Sequence, residues 1–147
     1  MPVEHHHATP ARVLAVAADH IERVGLYQGE RLWQPGKPGE SAPCSVLHAW
    51  DQGVRAVKPR WSDHDEELWG AFHRALRRSL VAISNHVNGR PVRPAAWQHL
   101  RMVEDAYRRT MLWCWGDEPG RTTRGAVEAF RAAAARCGSE RDHAKSA

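Results

Sequence analysis

The sequence is poor in cysteine and contains no long apolar segment. Its three cysteines, Cys44, Cys114 and Cys137, are an odd number at wide spacing, which argues against a disulfide framework and favours a reducing compartment. No apolar run approaches the roughly 20 residues that a membrane-spanning helix needs. Residues 1–20 also lack the basic and apolar regions of a secretory signal. We therefore expect a cytoplasmic protein with no membrane partner.

The sequence also lacks the local fingerprints of common enzymes. It contains no P-loop, no dinucleotide-binding glycine pattern and no recognisable Ser–His–Asp set. The acidic run at residues 63–67 suggests paired carboxylates, but its position at a predicted helix start already explains it through the helix dipole. The sequence therefore predicts no catalytic residue and no cofactor.

The composition is otherwise that of a globular domain, with unusually many tryptophans. The 147 residues are 42% hydrophobic and 26% charged, which suits one domain with its own core. A tryptophan side chain buries roughly 150–250 Å² when it is packed, so we expect these residues to dominate the core. The seven are Trp33, Trp50, Trp61, Trp69, Trp97, Trp113 and Trp115.

Apolar residues recur at three- and four-residue spacing in five segments, which predicts an all-α bundle of about five helices. The first helix has Thr9 as its capping residue, Pro10 in its first turn and Gly25 at its end. The predicted helices occupy residues 10–24, 44–57, 63–88, 94–113 and 122–138. A long loop rich in glycine and proline separates the first two helices. Gly53 lowers the helix propensity of the second by about 1 kcal/mol relative to alanine.

We predict a single helical domain at residues 9–138 with a polar segment at each end. Residues 1–8 contain the run His5, His6 and His7 without any periodic pattern, which predicts a flexible leader, with metal binding by the run as an alternative. Residues 139–147 follow Gly138, are mostly polar, and are expected to be frayed.

Positive charge is concentrated in the second half of the chain. Residues 1–70 contain seven Lys/Arg and ten Asp/Glu, whereas residues 71–147 contain fourteen and seven. A basic block of this kind attracts phosphate backbones or acidic partners, although arginines on solvated helix faces produce the same pattern. The candidate nucleic-acid surface consists of Arg74, Arg77, Arg78, Arg90, Arg93, Arg101, Arg108 and Arg109.

Cys44 and His48 are the weak candidates for a metal site. They are four residues apart on the predicted second helix, which would put two possible zinc ligands on one face. Two ligands do not make a site, and Cys114, Cys137 or Asp117 would have to complete it. A buried cysteine beside an ordinary histidine is the simpler interpretation.

The segment from Trp113 to Thr122 is the most organised in the chain. Pro119 and Gly120 predict a tight turn, and Thr122 is a suitable capping residue for the next helix. Asp117 and Arg121 flank the turn at a spacing that allows an ion pair. Two indoles, an acid and a guanidinium around one turn form either a structural corner or a ligand-facing one.

Two stretches of the sequence resemble a known family. These are ADHIERVGLYQG at residues 18–29 and WGDEPGRT at residues 115–122, with Cys44 between them. They resemble small actinobacterial and phage-borne domains of unknown function that carry "IxERGWxQG"-like and "WNDxPGRT"-like motifs. The chain departs from these motifs at Gly116, where asparagine is usual, and at Leu26, where an aromatic residue is usual.

The resemblance implies that the two stretches lie together in one corner of the fold, and it implies no activity. The candidate corner residues are Gln28, Trp113, Trp115, Asp117 and Arg121. From the sequence we predict a non-enzymatic accessory or protein-interaction module. The alternatives are a nucleic-acid-binding protein that uses the arginine surface and a metal-dependent enzyme at Cys44 and His48.

Overall fold

The computed structural model describes residues 8–28, 42–92 and 101–146, without the side chains of Arg101 and residues 139–146. These ranges form five α-helices and no strand, which confirms the prediction of an all-α bundle. The helices are α1 (Pro10–Val24), α2 (Val46–Val57), α3 (Glu66–Asn88), α4 (Arg101–Asp117) and α5 (Thr123–Ser146). The His5–His7 run, most of the predicted loop and the predicted start of the fourth helix at residue 94 lie outside the described residues.

The first helix, α1, is the centre of the bundle and packs against α2, α3 and α5. It begins and ends where the sequence predicts, because Thr9 Oγ1 accepts a hydrogen bond from the Arg12 backbone N–H and Gly25 ends the last turn. One stripe of α1 is completely buried, and burial of this stripe holds the bundle together. Its apolar members are Val13, Leu14, Ala17, Ala18 and Ile21.

Two helices begin later than the apolar pattern predicts, because a polar side chain caps each of them. The Ser45 hydroxyl accepts a hydrogen bond from His48 N at 3.1 Å, so α2 starts after Ser45 and not at Cys44. A carboxylate oxygen of Asp65 accepts from Glu67 N at 2.9 Å, so α3 starts three residues after its predicted first residue. In both cases the cap decides the boundary.

The last two helices are longer than predicted at their C-terminal ends. The predicted end of the fourth helix at Trp113 is wrong, because α4 continues to Asp117. The predicted end of the fifth helix at Gly138 is also wrong, because α5 continues to Ser146. Residues 139–146 contain neither glycine nor proline and include the good helix formers Glu, Arg, Ala and Lys, so nothing local stops the helix.

The tryptophans do not dominate the core as the composition predicts. Trp50 is 1% exposed and donates from Nε1 to Ser79 Oγ at 2.9 Å, whereas Trp61 is 80% exposed. Trp33 and Trp97 lie outside the described residues. The other large side chains that are completely buried are aliphatic or phenyl, and they include Phe130, Leu14, Ile21, Leu80, Ile83 and Leu112.

In the described part of the chain, no helix is both long enough and apolar enough to cross a membrane.

Candidate functional site

The two stretches that carry the family resemblance meet at one corner of the bundle. Leu26 and Cys44 form an isolated parallel β-bridge, in which Tyr27 N donates to Cys44 O at 2.9 Å and Cys44 N donates to Gly25 O at 3.1 Å. Leu26 N also donates to Thr123 Oγ1 at 2.9 Å, at the first residue of α5. These hydrogen bonds join the exit of α1, the segment before α2 and the start of α5.

Gln28 ties this corner to the end of α4. Its side-chain amide Nε2 donates to Gly116 O at 2.9 Å and to Glu118 O at 2.8 Å. Carbonyls at the C-terminal end of a helix have no partner within the helix, so they need donors from elsewhere. The Gln28 amide supplies donors to two of the carbonyls in this region and therefore acts as a cap for α4.

The tryptophans and charged groups of the corner are also paired with one another. Trp113 Nε1 donates to Asp117 Oδ2 at 2.9 Å. The Arg121 guanidinium lies 3.8 Å from the Trp115 ring centroid, and Arg121 Nε donates to Trp115 O at 3.1 Å. Arg121 forms an ion pair with Glu118, a partner that the sequence spacing did not indicate. The five candidate corner residues are thus held by contacts with the turn and with the end of α4.

Close packing of α4 on α2 supports the same interpretation. A Cβ added at Gly116 would lie 2.8 Å from Cγ2 of Val46, which is shorter than any ordinary contact. Glycine at this position therefore lets the end of α4 approach the start of α2. Together with the hydrogen bonds, this packing favours the structural corner over the ligand-facing one.

We expect Gln28→Leu to lower the free energy of unfolding by about 1 kcal/mol, because Gly116 O loses its side-chain donor and Glu118 O keeps only the Arg121 backbone N–H. Denaturant unfolding followed by circular dichroism measures the change. Gln52→Leu is the matched control, since the Gln52 amide contacts one neighbouring side chain, His48, at 3.2 Å; its effect should stay within about 0.5 kcal/mol. Equal stability of the Gln28 variant and the parent chain would contradict the capping role.

Two of the eight arginines assigned to the nucleic-acid surface are engaged inside the protein. Arg108 is 4% exposed and lies between α3 and α4. Its Nε donates to Glu104 Oε1 at 3.2 Å, and its Nη1 donates to Ser84 Oγ at 2.7 Å and to Asn85 Oδ1 at 3.0 Å. Arg77 donates to the other oxygen of Glu104 at 3.3 Å. The assignment of Arg108 to the nucleic-acid surface is therefore wrong, because its guanidinium is buried and binds Glu104 on its own helix and Ser84 and Asn85 on α3.

The remaining six members of that set are either exposed or outside the described residues. Arg93 and the side chain of Arg101 lie outside the described residues, and the other four, Arg74, Arg78, Arg90 and Arg109, are exposed. The Arg109 guanidinium lies 5.0 Å from the Trp50 ring centroid. Arg90 lines a cleft of about 430 Å³ at the end of α3 together with Asn88, Pro91, Val92 and Tyr107.

Cys44 and His48 do not share a helical face, because Cys44 precedes the capping residue of α2. Burial raises the pKa of the Cys44 thiol from 9.0 to about 11, and a thiol that keeps its proton is a poor metal ligand. The His48 ring lies 6.4 Å from the His20 ring. Among the described residues, no group of three or more His, Cys, Asp and Glu side chains is arranged to hold a metal ion.

We expect the raised pKa of Cys44 to make the fold less stable at alkaline pH. Between pH 9 and about pH 11 the unfolded chain loses the thiol proton while the folded chain keeps it, so stability falls as the pH rises. The steepest slope from this one group is about 1.4 kcal/mol per pH unit. Across this window the unfolding free energy of the parent chain should fall more steeply with pH than that of Cys44→Ala, which has no thiol at this position. Parallel pH profiles for the two proteins would contradict the burial of the neutral thiol.

An exposed aromatic turn between α2 and α3 is not among the sites that the sequence predicts. We call residues 60–63 the Trp61 turn. The turn is closed by a hydrogen bond from Asp63 N to Arg60 O at 2.9 Å, and Trp69 Nε1 donates to Asp63 O at 2.7 Å. The sequence does contain a signal for exposure of Trp61, because its neighbours are mostly polar: it follows Lys58-Pro59-Arg60 and precedes Ser62. The general preference of tryptophan for burial predicts instead that Trp61 lies in the core.

The Trp61 ring is held in place although most of its surface faces solvent. Its centroid lies 5.8 Å from that of Trp69, with 43° between the ring planes, and Lys58 Nζ lies 4.8 Å from the Trp61 centroid. Trp69 packs edge-on against Phe72, which is 4% exposed and belongs to the core. A chain of ring contacts therefore connects the exposed indole to the interior.

Comparison with known proteins identifies one family. Residues 5–136 match a family of unknown function, DUF6197. The matched range includes both stretches of the corner and the Trp61 turn. No curated protein and no solved structure matches the chain.

Proposed function

We propose that this chain, which belongs to the family of unknown function DUF6197, is a non-enzymatic interaction module that binds a protein partner through the Trp61 turn. The observation that carries the proposal is an indole that is 80% exposed and yet held by Trp69 and Lys58. The corner residues, by contrast, are engaged in holding helices together. The exposed turn is therefore the better candidate for contact with another molecule.

Tryptophan is among the residues that contribute most to protein–protein binding. Its large ring buries apolar area and has only two side-chain torsions, so ordering it costs little conformational entropy. The hydrogen bonds of the Trp61 turn and the contact with Trp69 reduce that cost further, because they restrict the backbone and the ring before binding. Met102 is similarly exposed, at 85%, but its flexible side chain has no comparable restraint in the described contacts.

The charges around the turn favour a protein partner over a polyanion. Residues 63–67 contain four carboxylates, and the basic residues closest in sequence are Lys58 and Arg60. A phosphate backbone that approached Trp61 would meet this acidic run at short range, where repulsion is least screened by salt. A protein surface tolerates neighbouring charges of both signs, since it can offer matching groups.

Site-specific photo-crosslinking in cells that produce the full chain tests the proposal. The photoreactive residue benzoylphenylalanine replaces Ser62, which is exposed and adjacent to Trp61. We expect irradiation to give a discrete adduct that resists nuclease and is digested by protease. Trp61→Ala in the same chain should abolish the adduct, whereas Met102→Ala, which truncates another exposed apolar side chain, should leave it unchanged.

The proposal fails under three outcomes of this experiment. The parent chain gives no adduct, nuclease destroys the adduct, or the adduct forms equally well in Trp61→Ala. Circular dichroism of each variant shows that the helices are retained, so that loss of the adduct is not a consequence of unfolding.

A second candidate function, nucleic-acid binding, is supported by four exposed arginines, of which Arg74 and Arg78 are one turn apart on α3. If phosphate contacts drive binding, affinity for duplex DNA must rise steeply as the salt concentration falls. Arg74→Gln combined with Arg78→Gln should then weaken binding and flatten its salt dependence. Absence of binding at low salt removes this candidate.

A further inference from the structure

The carboxylates at the start of α3 stand beside the Trp61 turn without a basic partner. The Asp65 carboxylate is occupied as the helix cap, since it accepts hydrogen bonds from Glu67 N and Leu68 N. Glu66 and Glu67 are exposed and form no ion pair with any residue that the structure describes. The helix dipole stabilises their charges, but it does not cancel their field toward solvent.

The other side of the Trp61 turn is basic. Lys58 directs its ammonium group at the Trp61 ring, 4.8 Å from the centroid, and Arg60 is exposed. The exposed indole therefore lies between a cationic segment that follows α2 and an anionic segment that begins α3. A partner surface that covers the indole must therefore contact both the cationic and the anionic segment.

The indole N–H of Trp61 also lacks an acceptor within the described part of the chain. In water this donor is satisfied by solvent, but a buried indole N–H usually has a protein acceptor. A pocket that takes the ring therefore needs a carbonyl or carboxylate oxygen at the position of the N–H.

We infer that the partner is a different protein whose apolar pocket receives the Trp61 indole, offers an oxygen acceptor to its N–H and carries basic side chains opposite Glu66 and Glu67. This inference rests on the proposed function and specifies the chemistry of the partner. The unpaired carboxylates supply the charge complementarity, because Glu66 lies one helical turn before Trp69, whose ring contacts the Trp61 ring, and neither carboxylate forms an ion pair with a described residue.

The test neutralises the two carboxylates and retains the indole. Glu66→Gln combined with Glu67→Gln, in the chain that carries the photoreactive residue at position 62, is expected to lower adduct yield about three- to tenfold at low salt. In purified protein mixed with an extract of the same cells, the parent yield should fall as salt rises, while that of the double variant should change little. Glu128→Gln, an exposed acid on α5, is the matched control and should behave as the parent chain does.

The acceptor in the pocket is tested separately with Trp61→Phe, which keeps an aromatic ring but removes the N–H. Its adduct yield should lie between those of the parent chain and Trp61→Ala. An adduct yield equal to that of the parent would overturn the assignment of an acceptor.

The outcomes separate this inference from the proposed function. An adduct that requires Trp61 but is unaffected by the double Gln variant and by salt overturns the basic rim and leaves the protein-binding function standing. Absence of any Trp61-dependent adduct in the parent chain overturns both. An adduct with twice the mass of the chain identifies a second copy as the partner and overturns the inference of a different protein.

Discussion

Gly53→Ala is expected to lower the free energy of unfolding by about 3 kcal/mol, although helix propensity alone predicts a gain of about 1 kcal/mol. A Cβ at Gly53 would lie 2.1 Å from the backbone oxygen of Val13 and 3.0 Å from its carbonyl carbon. These are backbone atoms of α1, the central helix, so they cannot move aside as a side chain can. The substitution therefore pushes α2 away from α1 and opens the core that the two helices share.

Gly138→Ala is the matched control for the effect of helix propensity. Gly138 lies in the interior of α5, and a Cβ at this position would meet nothing within 4 Å. Alanine should therefore stabilise the protein by about 0.5–1 kcal/mol at this site. Denaturant unfolding measures both variants, and a stabilising effect of Gly53→Ala would contradict the close approach of α2 to α1.

Arg108→Met is expected to lower the free energy of unfolding by about 2–4 kcal/mol, because the buried Ser84 hydroxyl loses its donor, while Glu104 keeps only Arg77 and Asn85 keeps only Val92 N. Glu104, Ser84 and Asn85 all accept hydrogen bonds from Arg108. Methionine retains much of the volume of the arginine stem, so the loss reports mainly on the polar contacts.

Arg109→Met is the control for Arg108→Met, since Arg109 is the adjacent residue and is exposed. It should cost at most about 1 kcal/mol, the value of a cation–π contact such as the one with Trp50. Equal effects of the Arg108 and Arg109 substitutions would contradict the structural role of Arg108 and return it to the candidate nucleic-acid surface.

The residue sequence predicts α1 completely because every signal that bounds this helix is local. A capping threonine, a proline in the first turn and a glycine after the last turn act within a few residues of the helix end. The predicted start of the third helix at residue 63 is three residues too early, because the hydrogen bonds that Asp65 accepts from Glu67 N and Leu68 N fix the start of α3.

The candidate sites depend on tertiary contacts that the sequence pattern does not specify. Arg108 and Arg109 are adjacent and chemically identical, and the rotation of α4 about its axis buries one and exposes the other. Trp50 and Trp61 differ in the same way, because one faces Ser79 in the core and the other lies on a turn. Residue type indicates what a side chain can do, and packing decides which of these possibilities is used.

The spacing of residues in the sequence likewise does not predict the role of the corner. The family resemblance implied that Gln28 lies near the turn after α4, but the two carbonyls that its amide serves belong to Gly116 and Glu118. Backbone acceptors leave no trace in the sequence, since every residue has one. The structure was therefore required to separate a cap from a binding site.

The free energy of unfolding of Trp61→Ala tests most directly whether the exposed indole serves contact with another molecule or the stability of the fold. An indole that is 80% exposed contributes little to the core, so we predict a value within about 1 kcal/mol of the parent chain. A loss of about 3 kcal/mol, typical of a buried tryptophan, would show that Trp61 is a structural residue and would contradict the proposal that it binds a partner.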